Sequence, residues 1–156
     1  MNLASLFGNS RRKNKGVGMA DIFTKEKRSE IMSRIRGKNT KVELLFRKAL
    51  SSEIYPKGYR YRLHYGKIAG SPDVVFVKRK IAIFIDGDFW HGRGYGKKGG
   101  ARLRKKFWRD KIETNIRRDR RVNRELRKLD WTVFRFWETD VRKNPEKSIR
   151  KVLENL

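Results

Sequence analysis

The stretch from 72 to 86, "PDVVFVKRKIAIFID", limits the possible folds more than any other part of the chain. Two apolar runs rich in β-branched and aromatic residues flank a basic Lys78-Arg79-Lys80, and they read as two strands joined by a tight turn. An acid stands at the outer end of each run, Asp73 after a proline and Asp86 at the close of the second. A two-residue loop at Arg79-Lys80 would set Asp73 opposite Asp86, and a three-residue loop would set it opposite Ile85. Either register brings the acid-bearing strand ends together.

Helices are expected on both sides of this hairpin. Thr24 can N-cap a short helix carrying Ile31, Met32 and Ile35, with Gly37 ending it. "TKVELLFRKAL" opens with Thr40-x-x-Glu43, a capping-box pattern, and is expected to place Val42, Leu45, Phe46 and Ala49 on one face. "YRYRLHY" alternates with period two and reads as a strand. Residues 92–102 hold five glycines and read as a flexible basic loop. A long helix is expected from about Leu103 to Leu129, with Phe107, Ile112, Ile116, Val122, Leu126 and Leu129 as its apolar stripe and Asp119 on or beside it. "WTVFRFW" reads as a buried strand. A last helix starts at about Pro145 with Ile149, Val152 and Leu153 inside. The order ααβββαβα suggests an α/β domain, a central mixed sheet flanked by helices, over residues 19–156. Residues 1–18 read as a disordered basic tail, although Met19-Ala20-Asp21 would make an ordinary start.

Charge narrows the partners. The chain has 42 Lys+Arg against 17 Asp+Glu, a formal charge of +25, and self-repulsion of that size favours a polyanionic partner, with nucleic acid ahead of a membrane surface. No apolar run approaches the ~20 residues that span a bilayer. The beginning lacks the apolar segment of a secretory signal, so a cytoplasmic, nucleoid-associated protein is expected. With no cysteine, disulfides and thiolate zinc sites are excluded, and only His64 and His91 offer imidazole.

Asp73 and Asp86 at converging strand ends could hold Mg²⁺, which keeps several waters and takes few protein ligands. The plainer reading makes one a turn cap and the other an ion-pair partner of nearby lysines. His91, just past the second strand, suits general acid–base work, or is simply a satisfied surface group. Phe89 and Trp90 either stack on or wedge between bases, or pack in the core. Glu43 reads as the capping-box acid or as a carboxylate at the edge of the site. Gly94-x-Gly96-x-x-Gly99 lacks the strand–helix setting of a dinucleotide fingerprint and is set aside. The basic run "IRRDRRVNRELRK" is a solvated helix face that also suits a DNA backbone, as do Arg93, Lys97 and Lys98 of the glycine-rich loop.

The blocks "RSEIMSRIRGKNTKVE", "GSPDVVF", "IFIDGDFWHG" and "FWRDKIETNIRRDRRVNRELRKLDWTVFRFWE" occur in an order and spacing that resemble the very short patch repair (Vsr) DNA mismatch endonucleases. These form a branch of the PD-(D/E)xK nuclease superfamily, and the likeness runs from about Ala20 to Glu138. It implies a restriction-endonuclease-like fold with Asp73 as the central metal-binding aspartate and the Ile85 carbonyl as the second metal contact. His91 would act on the scissile phosphate, and Glu43 would order metal-bound water. Phe89, Trp90 and Met32 would wedge beside a T:G mismatch. Two departures stand out. Asp86 replaces a histidine common in the family, and could add metal affinity or replace a phosphate contact. Asp88, Arg93, Tyr95 and Thr139 stand at the positions of a Cys/His zinc site and cannot form it, so helix packing or the basic loop should hold that corner.

The expected activity is nicking of one strand of duplex DNA beside a T:G mismatch, by a monomer using one or two Mg²⁺ and no zinc. A homing or restriction-type double-strand cutter is the alternative of the same fold. A basic DNA-binding protein without chemistry is the alternative of another class.

Overall fold

The computed structural model describes residue 29 and residues 38–95 and 106–156, apart from the side chain at 107. The unit treated below is Gly37–Leu156. Outside the described residues lie the expected tail at 1–18, the helix carrying Ile31, Met32 and Ile35, the Phe107 side chain, and the loop lysines Lys97 and Lys98.

Helix α1 spans Lys41–Ile54. It starts at Thr40, whose backbone is extended and whose side-chain oxygen accepts the Glu43 N–H at 3.3 Å. Its inward face is Val42, Phe46, Leu50 and Ile54, all buried, together with Glu43 and Arg47. Leu45, expected inside, is exposed instead, because the α-helical stripe advances through 42, 46, 50 and 54 and leaves 45 about a quarter-turn off it.

Strands β1 (Arg62–Leu63), β2 (Val74–Phe76), β3 (Ile81–Asp86) and β4 (Thr132–Trp137) make one sheet in the order β1-β2-β3-β4. The first two pairings are antiparallel and β3–β4 is parallel. A parallel pair needs a long crossover, which helix α2 (Lys106–Lys128) supplies. This is the expected α/β architecture, a mixed sheet flanked by helices, consistent with a restriction-endonuclease-like fold.

Two local expectations fail, each for a backbone reason. The seven-residue strand at 59–65 shortens to Arg62–Leu63: His64 ends it with a left-handed φ of 44°, and the Tyr59 N–H bonds the Ile54 carbonyl rather than a strand. The β2–β3 connection is longer than either expected turn: Val77–Arg79 form a 3₁₀ turn and Lys80 takes a left-handed φ of 50°. Val74 consequently pairs with Ile83, and continuing that register sets Asp73 against Phe84 rather than Asp86 or Ile85.

Strand alternation divides the core between the two sheet faces. Ile81, Ile83 and Phe136 pack with Val74 and Phe76 against α1 and the C-terminal helices α3 (Glu138–Lys143) and α4 (Pro145–Leu153). Ala82 and Phe84 face Val122 and Leu126 of α2. The sequence reading missed α3. Leu129, expected on the α2 stripe, is exposed because the helix ends at Lys128 and Asp130 turns left-handed at φ 61°. Among the described residues no helix is long and apolar enough to cross a membrane.

Phe46 is fully buried, with its ring 5.7 Å from that of Phe136. Phe46→Ala should therefore cost about 3–5 kcal/mol, read as a lower urea midpoint at unchanged slope. A loss under 1 kcal/mol would mean that α1 is not seated on the sheet this way.

Candidate active site

One end of the sheet, where β3 closes and β2 opens, carries two polar clusters. The first lies on the α1 side. Asp73 Oδ2 accepts the Ile85 N–H at 2.8 Å, while its Oδ1 lies 3.9 Å from His64 Nδ1. Burial pushes the Asp73 carboxyl up to about 6; the Ile85 N–H opposes this, and the charges of Glu43 and Asp86 add to it. A carboxylate so placed, with oxygen left for a further ligand, suits a divalent cation that would relieve the like-charge crowding.

Glu43 is buried, and its two expected roles coexist. It keeps the capping arrangement with Thr40, whose hydroxyl donates to Oε1 at 2.9 Å. Its Oε2 accepts the Asn39 N–H at 2.9 Å and Arg47 Nη2 at 2.7 Å. The i,i+4 spacing on α1 aligns Arg47 with Glu43, and Arg47 also reaches Asn39 Oδ1 at 2.7 Å and His64 Nε2 at 3.0 Å. Burial and the Arg47 charge hold the His64 pKa below its ordinary value, so its ring is neutral near pH 7.

The second cluster lies on the α2 side. Even-numbered β3 positions face α2, so Asp86 turns there and is buried. Both its oxygens accept from Arg135 Nη1, at 2.8 and 2.9 Å. Arg135, one strand over on β4, also donates to Asn123 at 2.8 Å, approaches Asp119 at 3.4 Å and lies 4.2 Å above the Phe84 ring. His91 sits in the turn after β3, its N–H bonded to the Gly87 carbonyl, and its Nδ1 lies 2.6 Å from Asp119 Oδ2. That short contact assigns the Nδ1 proton to the Asp119 bond and makes Nε2 the nitrogen available for proton transfer. Asp119 is half-buried, which by itself would raise its pKa, yet the bond to His91 and the charges of Arg135 and Arg118 hold it below the usual carboxylate range. Gly92 keeps the turn close to α2: at φ 70°, a Cβ there would lie 2.7 Å from Ile116 Cδ1.

Beside the turn, three aromatic rings meet. Phe89 and Trp90 stand edge to face at 4.9 Å, and Trp108 of α2 lies 5.7 Å from each. The Trp90 carbonyl is tied to Asn115 Nδ2 at 2.9 Å, which fixes the cluster to α2. All three rings are partly exposed.

A different cluster holds the corner at Asp88. Asp88 accepts from the Thr139 N–H and hydroxyl and from Arg93 at 3.0 Å, and Arg93 continues to Asp140 at 2.6 Å. Of the two expected supports, the basic loop takes part through Arg93. An acid from the β3 turn caps the start of α3, and an arginine clamps it there. Arg93, expected on DNA, pairs with two carboxylates while staying partly exposed, and the Tyr95 hydroxyl bonds Glu113.

Of the candidate residues, Asp73, Glu43 and Ile85 fall in the first cluster, Asp86 and His91 in the second, and Phe89 and Trp90 in the ring group. The sequence reading gave no role to His64, Arg47, Arg135 or Trp108. Only Arg47, four residues after Glu43, carried a local signal. Trp108 and Arg135 reach the site from distant elements.

A mixed sheet that carries a polar carboxylate, a histidine–acid pair and an aromatic group at one end is an arrangement suited to a DNA endonuclease. The chain matches the family model described as "DNA mismatch endonuclease Vsr" over residues 20–97. It is 46% identical over 129 residues to the type II nicking enzyme V.HpaIIP of Haemophilus parainfluenzae, covering 81% of this chain and 89% of that one. The type II nicking enzyme V.NmeDIP of Neisseria meningitidis serogroup C is 42% identical over 133 residues, with 85% and 87% covered. The DNA mismatch endonuclease Vsr of Escherichia coli K12 is 34% identical over 124 residues, with 80% and 77% covered. The chain belongs to the Vsr endonuclease family.

Proposed function

We propose that the protein nicks one strand of duplex DNA beside a T:G mismatch, acting as a cytoplasmic, nucleoid-associated monomer that requires Mg²⁺. The observation that carries this reading is Asp73, largely buried with a raised pKa at the sheet end shared with the His91–Asp119 pair. Asp73 and the Ile85 carbonyl would hold the cation, with Glu43 ordering its surroundings. Bound there, a divalent ion supplies charge neutralisation at the phosphodiester and a more acidic water.

The remaining work belongs to the chain's own side chains. His91 Nε2 exchanges a proton at the scissile phosphate, and Asp119 keeps the ring in the tautomer that leaves Nε2 available. Asp86, with both oxygens on Arg135, contributes charge and orientation rather than a ligand atom. Phe89, Trp90 and Trp108 offer three ring faces and edges to bases that a weak T:G pair gives up at low cost. The names of the relatives, nicking enzymes and a mismatch endonuclease, support both halves of the reading.

The test uses synthetic duplexes that differ only in a T:G or T:A pair, with Mg²⁺ or a chelator. The expected result is a Mg²⁺-dependent nick in one strand of the T:G duplex, at least about 10²-fold faster than on the matched one. Cleavage of both strands of matched DNA would replace this reading with a site-specific cutter. Salt-sensitive binding without product under any metal would leave a DNA-binding protein without chemistry.

A further inference from the structure

We infer that His64 is a positioning residue for Asp73: Arg47 holds its imidazole in the Nδ1–H tautomer and so directs that N–H at Asp73 Oδ1. The inference rests on the cation-binding role proposed for Asp73 and adds a residue to it. Glu43, His64 and Asp73 bring potential ligand atoms within 4.8 Å of one another, which on distance alone suggests a three-ligand cation site. The hydrogen bonds argue otherwise.

Arginine donates through all its N–H groups and accepts nothing. Arg47 Nη2 lies 3.0 Å from His64 Nε2, so Nε2 must be the bare, accepting nitrogen. The rival tautomer would donate from Nε2 to Asn39 Oδ1 at 3.4 Å, but only by setting that N–H against the guanidinium N–H. A neutral ring with Nε2 bare carries its proton on Nδ1, and Nδ1 faces Asp73 Oδ1 at 3.9 Å. In this arrangement neither nitrogen has a lone pair to give a cation. Nε2 spends its own on Arg47, and Nδ1 is protonated.

What His64 does instead is steady a carboxylate. Asp73 Oδ2 is anchored by the Ile85 N–H at 2.8 Å, and the His64 Nδ1–H points at the other oxygen from 3.9 Å, beyond hydrogen-bond distance, so it acts through its dipole. Outer-shell polar groups steady a ligating group, and a small closing movement would turn this approach into a hydrogen bond. The backbone supports the arrangement, because the His64 N–H donates to the Asp73 carbonyl at 3.3 Å. Both His64 and Asn39 hold left-handed φ angles, 44° and 56°, a region in which these two residue types are enriched among non-glycine residues. Here both residues are partners of Arg47.

The experiment has two readouts on the full chain. Long-range ¹H–¹⁵N NMR of the wild-type imidazoles should show His64 with a protonated Nδ1 and an unprotonated Nε2, and this requires no variant to fold. Mn²⁺ binding, followed by electron paramagnetic resonance, should weaken by about 10–100-fold in His64→Gln, whose amide overlays Nε2. In His64→Asn, whose amide nitrogen overlays Nδ1, the loss should be clearly smaller. An Nε2–H tautomer, or equal losses in the two variants, would overturn the inference. Mn²⁺ binding unchanged in Asp73→Asn would instead remove the cation-binding reading of Asp73, and the inference with it.

Discussion

Asp73→Asn is expected to reduce nicking by about 10³-fold and, in the same protein, to raise stability at neutral pH. The first effect follows from losing the carboxylate that would hold the cation, a contribution of several kcal/mol at about 1.4 kcal/mol per tenfold. The second follows from linkage. The native Asp73 pKa is raised from 3.8 to about 6. Its protonated form therefore stabilises the fold below about pH 4, and that stability is lost as pH rises through about 6.

At pH 7 the native state carries a largely buried, crowded carboxylate, at a cost on the order of 2–3 kcal/mol. Asparagine keeps the shape and can still accept the Ile85 N–H, but carries no charge. It also adds one to a net charge of +25, and at physiological salt that long-range term is screened beyond about 8 Å, so the local relief dominates. Thermal unfolding in chelator should show the variant more stable than wild type at pH 7.5, with the advantage shrinking at pH 4.5. Added Mg²⁺ should raise the wild-type midpoint and leave the variant unmoved. A variant less stable than wild type at pH 7.5 would show that Asp73 is not the strained group it is taken to be.

The second large effect concerns the His91–Asp119 pair. His91→Ala should lower the single-turnover nicking rate by 10²–10⁴-fold, the usual contribution of a positioned acid–base group. Asp119→Asn should lose about 10²-fold, since a neutral amide can turn its NH₂ toward Nδ1 and favour the wrong tautomer. The two act as one unit at 2.6 Å, so the double variant should be no worse than His91→Ala alone. DNA affinity measured without divalent cation should stay within about twofold throughout, because neither side chain is assigned to binding. Additive rate losses would mean that Asp119 acts on catalysis by a route other than His91.

How much of this was legible beforehand depends on the range over which each signal acts. The hairpin runs of β2 and β3, the Thr40–Glu43 cap and the Ile112–Val122–Leu126 stripe were readable because each is set by side chains a few residues apart. Asp73, Glu43, His91 and the Phe89–Trp90 pair stood out as candidates for the same reason, in unusual residue types next to strand and helix boundaries. The resemblance then attached roles to them. The hairpin register was not legible. It depended on a 3₁₀ turn and one left-handed lysine, a choice worth only a small local energy and settled by how the two strands pack.

The sequence by itself determined that the chain builds a charged α/β domain around a short apolar hairpin, and that acids, aromatics and a histidine collect where that hairpin ends. Periodicity and composition suffice for this because burial acts on each stretch separately. The tertiary structure alone decided which charge faces which. Arg135 reaches Asp86 across 49 positions of chain, Trp108 joins Phe89 from α2, and His64 meets Arg47 and Asp73 from a third direction. Pairing between buried charges falls steeply with distance and depends on orientation, so it exists only once the sheet order and helix faces have put the partners side by side.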